Sequence, residues 1–233
     1  MTPSSPAGSL PNSPELTFST PITIAILGGT GRVGSGLATK LASQGHRLLL
    51  GTLNPDDAAA NWSGPAVTFT DTAAAARDGQ IVINATPGDT SLERLSALRS
   101  ELSGKILVDV TNATQRNATS PLGDLCYPGS SLAEKLQAAL PHTRVVKTLN
   151  TMMFKVMTNP QGLSSPPTAF LSGNDAGAKT TVRALLAELG WQNEQLMDLG
   201  DVTTARGTEE LFLFVPYLVK TLGFVPFAVT VAH

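Results

Sequence analysis

Short apolar runs alternate with longer amphipathic stretches along most of the chain. The runs at 22–27, 47–51, 67–70, 81–85, 106–110 and 144–148 are β-branched and leucine-rich, the pattern of strands buried on both faces. Between them the spacing predicts helices at 33–44, 71–78, 92–102 and 131–140. Gly45, Gly79 and Gly104 follow the first three, and Pro141 follows the fourth; both residue types end helices. This alternation predicts an α/β fold, a doubly wound parallel sheet of the Rossmann-like kind, over residues 21–148. Residues 112–130 form a polar connection long for such a domain, read as a lid or an insertion. From residue 149 the pattern changes to a Gly/Ser/Pro loop at 161–167, a strand at 168–172, and helices at 176–189 and about 203–222. Residues 149–233 are expected to form a smaller C-terminal α/β cap serving substrate binding and dimerisation.

The two ends behave differently. Residues 1–20 are rich in Pro and Ser, with Glu15 the single charge. With neither a basic start nor an apolar stretch, they read as a disordered tail rather than an export signal. Residues 211–232 carry one charge, Lys220, but Pro216, Gly223 and Pro226 interrupt them. Proline removes a helix hydrogen bond, so a buried terminal helix facing a second subunit is expected here, not a membrane span.

Composition narrows the function. Of 233 residues, 42% are hydrophobic and 15% charged, which fits a globular enzyme-sized core and excludes a disordered chain. Lys plus Arg number 16 against 18 Asp plus Glu, so no broad positive field favours nucleic acid or an anionic membrane. A single cysteine, Cys126, and three scattered histidines give no basis for a disulfide or a metal site. The cytoplasm is the expected compartment.

The strongest chemical signal is Gly29-Thr30-Gly31-Arg32-Val33-Gly34, at the end of the first strand and the mouth of the first helix. In this pattern Gly29 permits a tight turn, Gly31 lets backbone approach a pyrophosphate, and Gly34 allows close helix–strand packing. The helix N-terminus adds free amides and positive dipole for the anion. The second strand ends in Gly51-Thr52-Leu53-Asn54, with no carboxylate to bond a ribose diol or repel a 2′-phosphate. Thr52 as donor and Arg32 as cation therefore favour NADP over NAD.

The series IAILGGTGRVGSGLATKLASQGH, GTLNP, ILVDVTNA, RVVKTLNT, LSGNDAGAKTTVRALLAELG and DLGDVTTARGTEELFLF resembles the F420-dependent NADP reductase family. Its members move a hydride between NADP and the deazaflavin coenzyme F420. The resemblance implies that Thr30, Gly31, Arg32 and Val33 line the pyrophosphate, and that Thr86, Pro87 and Asn112 approach the ribose and nicotinamide. The family's Ser-Arg pair and downstream Lys for the cofactor phosphate correspond here to Thr52, Leu53 and Asp57. Its coenzyme-facing histidine corresponds to Asn150, followed by Thr151 and Met152, which become the candidate substrate-binding residues. The expected function is hydride transfer between NADP(H) and a second planar acceptor, coenzyme F420 or a flavin-like molecule, in a homodimer.

No catalytic residue is assigned, because hydride transfer between planar rings requires alignment and dryness more than acid–base groups. A short-chain dehydrogenase would need Tyr with Lys four residues later; Ser131 follows Tyr127 and Thr221 follows Tyr217 at that spacing. Lys147 and Asn150 sit at a strand end, where a separation of three points them to opposite faces. Lys147 is expected at the solvent or behind the site. The alternative is a non-catalytic NADP(H) sensor acting through a protein partner, since fold alone does not fix activity.

Overall fold

The computed structural model describes residues 18–115 and 123–232. Among them, eight strands form one sheet: β1 (Thr23–Leu27), β2 (Arg47–Gly51), β3 (Thr68–Thr70), β4 (Ile81–Asn84), β5 (Ile106–Asp109), β8 (Arg144–Lys147), β9 (Ala169–Ser172) and β10 (Leu196–Gly200). A small antiparallel pair, β6 (Thr114–Gln115) with β7 (Asp124–Leu125), stands apart. The sheet order is β10-β9-β8-β5-β4-β1-β2-β3. From β3 to β8 all neighbours are parallel, the doubly wound order with its reversal between β1 and β4. That reversal opens a crevice beyond the carboxyl ends of the strands.

The six predicted strands of this half are all present, each within a residue or two of its expected bounds. They are apolar throughout because both faces are covered. On one face α1 (Arg32–Ser43) and α8 (Ala176–Glu188) bury Leu37, Leu41, Val182 and Leu186 against Ile24, Ile26, Ile83 and Val108. On the other, α3 (Thr72–Asp78), α4 (Gly88–Ser96) and α6 (Leu132–Ala139) bury Ala75, Leu95 and Leu136 against Ala25, Leu27, Val82 and Leu107. Asp71 and Ser131 cap α3 and α6 through their side chains, each worth about 1 kcal/mol.

Several expectations need correction. The helix expected at 92–102 begins earlier, at Gly88, and breaks into α4 and α5 (Arg99–Leu102) around Leu98, whose φ and ψ of −102° and 25° are not helical. A short helix, α2 (Pro55–Ala60), follows β2, and another, α7 (Phe154–Met157), follows β8. The strands after residue 148 extend the same sheet, β9 running antiparallel to β8. The 112–130 connection contains the β6–β7 hairpin, and its centre lies outside the described residues. Most of the expected disordered tail, residues 1–17, also lies outside them. Phe18 instead packs edge-on against His46, ring centroids 5.5 Å apart, and donates its amide to Glu188.

The terminal helical run is buried only in its first segment. It consists of α9 (Ala205–Glu210), a 3₁₀ turn Leu211–Phe214 and α10 (Val215–Leu222), and no residue of the last two is buried within the chain. Beyond it the backbone returns: Met153 donates to the Phe227 carbonyl at 2.9 Å, and Val229 donates to Thr151 at 3.1 Å. Among the described residues no helix is long and apolar enough to cross a membrane.

Candidate functional site

The crevice begins at the glycine turn. Gly28, not Gly29, takes the left-handed conformation, with φ of 79°; an added Cβ there would meet the Ala85 carbonyl oxygen at 2.6 Å. Gly34 has the packing role expected of it, since a Cβ would lie 2.4 Å from the Gly28 oxygen. At Gly31 the same test meets only the Gly28 oxygen, at 3.4 Å, leaving the approach to the helix open. Gly31 is also the N-cap of α1 and brings no side chain to cap it. The first-turn amides of this 12-residue helix, which by helix geometry lack intrahelical acceptors, thus receive no side-chain cap from Gly31.

From this turn a cavity of about 500 Å³ runs over the end of β2. Gly28, Thr30, Thr52, Leu53, Asp57, Trp62 and Arg94 are among its lining residues. Leu53 is 76% exposed, an apolar face available to a flat ring. Arg32, expected here as the phosphate cation, does not line this cavity. Its guanidinium lies over the Phe154 ring, 5.8 Å from the centroid, a cation–π distance. Arg94, on α4, escaped the sequence reading; only the packing of α4 beside the cleft brings it there.

Thr86 borders both this cavity and a second one of about 280 Å³. The second is mostly apolar, lined by Val33, Val110, Met152, Met153, Phe154, Met157 and Phe212, with Thr86, Thr111, Asn112 and Asn150 as its polar side chains. Asn112 and Asn150 are locked together: Asn112 Nδ2 donates to the Asn150 carbonyl at 2.8 Å, and Asn150 Nδ2 donates to Asn112 Oδ1 at 3.0 Å. The turn delivering Asn150 is strained, with Leu149 at φ 59°, an uncommon conformation for a side chain of this size. Burial of Leu149 in the core holds it there.

The expected site residues thus separate into groups. Thr30, Thr52, Thr86 and Pro87 share the first cavity; Val33, Thr86, Asn112, Asn150 and Met152 share the second. Thr151 lines neither. Its hydroxyl is buried without a hydrogen-bond partner among the described residues, and its backbone carbonyl holds the returning C-terminal segment.

Behind the cleft lies a buried polar network. Lys147 was expected at the solvent or behind the site, and its ammonium is only 1% exposed. It pairs with Asp109 Oδ2 and Glu209 Oε1, each at 2.8 Å, and donates to the Thr111 carbonyl. Burial alone would lower the Lys147 pKa, but the two carboxylates outweigh it and raise the value above the usual 10.5. Asp109 Oδ1 also accepts from Asn84 at 2.9 Å and from the Thr111 hydroxyl at 2.9 Å. Asn84 Oδ1 in turn accepts from the Thr86 hydroxyl at 2.7 Å. The chain of bonds runs from Lys147 to both threonines that border the second cavity. It is a positioning network, since none of its charged members lines either cavity.

The family model for coenzyme F420-dependent NADP oxidoreductases matches residues 23–113, from the start of β1 to just past Asn112. The F420-dependent NADP reductase of Methanocaldococcus jannaschii is 28% identical over 202 residues, covering 81% of this chain and 88% of that protein. The rat metalloreductase STEAP3 is also 28% identical, over 78% of this chain but 35% of its own length. Among solved structures, a provisionally assigned F420-dependent NADP reductase from Arthrobacter sp. FB24 is 37% identical, with a TM-score of 0.82, and covers 91% of this chain and all of that one. With the glycine turn, the strand order and this full-length likeness together, the chain belongs to the coenzyme F420-dependent NADP oxidoreductase family.

Proposed function

We propose that this protein is an NADP-dependent oxidoreductase that transfers a hydride between NADP(H) and a second planar acceptor, coenzyme F420 or a flavin-like molecule. One observation carries the reading: the cavity at the glycine turn and the apolar cavity meet at Thr86. A dinucleotide laid on the first would end at the second. The relatives named as F420-dependent NADP reductases support F420 as the acceptor.

When bound, NADPH supplies the hydride, and the acceptor takes it with one solvent proton, leaving NADP⁺. The chain contributes position and dryness. Thr30, Gly31, Arg32 and Val33 offer backbone amides and the positive end of α1 to the pyrophosphate. Thr86, Pro87 and Asn112 border the ribose and nicotinamide, while Asn150 offers the acceptor a polar edge beside the methionines and Phe154. Excluding water from such a pocket aligns two rings without a general acid or base. Residues 149–233 carry the acceptor side and a homodimer contact. The lone free cysteine, Cys126, is in keeping with a reducing cytoplasm.

The test is an anaerobic mixture of protein, NADPH and, in turn, F420, FMN or FAD, followed by absorbance. Stoichiometric loss of NADPH with reduced acceptor is expected for at least one. Tight NADPH binding without turnover of any acceptor would favour the sensor; failure to bind NADPH would overturn both.

A further inference from the structure

We infer that Arg94 is the residue that selects NADP(H) over NAD(H) in this chain, gripping the 2′-phosphate from α4 rather than from the β2–α2 turn. The inference rests on the reading that the cleft takes NADPH. The β2 end carries no cation: Thr52, Leu53 and Asp57 stand there. Among the residues lining the cavity, Arg94 is the one cation. Its Nε donates to Thr90 Oγ1 at 3.1 Å, and Thr90 in turn donates its hydroxyl to the Pro87 carbonyl at 3.3 Å. This bond fixes the guanidinium stem against the first turn of α4 and leaves both terminal nitrogens for a ligand.

A planar guanidinium with two free NH₂ groups matches a phosphate dianion in a bidentate way that a lysine cannot. Thr52 completes the site. Its hydroxyl oxygen accepts from the Asn54 amide at 3.4 Å, and its proton stays free to donate. Asp57 opposes the phosphate, although Asn61 Nδ2 donates to its Oδ1 at 3.2 Å. Arg32 is engaged with Phe154 at the other cavity, so its charge serves both dinucleotides alike.

The experiment is calorimetric titration of the full chain and of Arg94→Ala, Arg94→Lys, Asp57→Asn and Arg32→Ala with NADPH, NADH and 2′-AMP. Arg94→Ala is expected to weaken NADPH and 2′-AMP by roughly tenfold or more, with NADH changed less than about twofold. Arg94→Lys should recover part of the loss. Asp57→Asn should tighten NADPH a few-fold, and Arg32→Ala should leave the NADPH/NADH ratio unchanged. Arg94 is exposed, so thermal melts of its variants should match the parent. If the parent prefers NADPH and Arg94→Ala keeps that preference, Arg94 is overturned while the NADP reading stands. If the parent binds neither dinucleotide, or prefers NADH, both fall together.

Discussion

A methyl group added at Gly34 would lie 2.4 Å from the Gly28 carbonyl oxygen and 2.7 Å from Gly29 Cα. Both are backbone atoms, so the turn itself would have to move. At Gly31 the only contact is 3.4 Å, and the folded chain has room. The sequence pattern assigns the two glycines different roles: Gly34 has no room for a side chain, and Gly31 has the room that its proposed role in ligand approach needs. Gly34→Ala should therefore cost about 1–3 kcal/mol and lower the melting temperature by roughly 2–4 °C per kcal/mol. Gly31→Ala should keep the parent melting temperature and lose dinucleotide affinity. Calorimetry and a thermal melt on each variant would decide, and a destabilised Gly31→Ala would contradict the division. The glycine spacing was legible because it is local. That Gly28 takes the positive φ was not, since the Gly28–Gly29 pair offers two candidates and the chain path at Ala85 chooses between them. Arg94 was illegible for a related reason: nothing in α4's own sequence says that this side chain shares a cavity with the end of β2.

Elements are joined behind the cleft by one carboxylate from far along the chain. Glu209, on α9, accepts the amides of Leu132 and Ala133 at 2.9 and 3.3 Å, so it caps α6 while pairing with Lys147. One α6–α9 contact on the surface, Arg206 with Glu134 at 2.9 Å, is also an ion pair, but exposed pairs contribute little. Burial decides which matters. Lys147→Met leaves Asp109 and Glu209 buried without their cation and should cost about 3–5 kcal/mol in denaturant unfolding. Arg206→Ala should be close to neutral; a comparable loss there would reverse the ranking. The pH dependence has a definite sign. The folded Lys147 pKa lies above 10.5, so its stabilising contribution is complete below that pH and fades as pH rises through the raised folded value. The gap between parent and Lys147→Met should hold steady from neutral pH to about 10 and narrow beyond it. In sequence, Lys147 stood out as a charge ending an apolar strand. Its burial was not legible, because one partner comes from β5 and the other from α9. The late start assigned to α4 has the same origin: Gly88 is a poor helix residue retained because a Cβ would strike the Asn112 carbonyl oxygen at 2.1 Å.

At the scale of the molecule, the parallel half was legible because each strand is a continuous apolar run and each crossover obeys one handedness. The reversed β9 and β10 were harder, since direction is set by pairing across the sheet and not by the run itself. The terminal helix shows what an apolar pattern leaves open: it says that a face must be covered, not by what. Leu213, Phe214, Tyr217, Leu222 and Phe224 are each about half exposed or more, an apolar concentration rare on a monomer. Phe212, in the same run, lines the apolar cavity. A second copy on this face, as proposed, would cover the patch and close the acceptor side at once. Light scattering after gel filtration should then give a dimer for the parent and a monomer for Tyr217→Glu/Phe224→Glu. Because none of the residues lining the first cavity lies beyond Arg94 in the chain, NADPH affinity should survive in that variant while hydride transfer falls by tenfold or more, on the order of what loss of alignment costs. A monomeric parent would refute the dimer, and a monomeric variant with undiminished turnover would confine the patch to assembly and remove it from the chemistry.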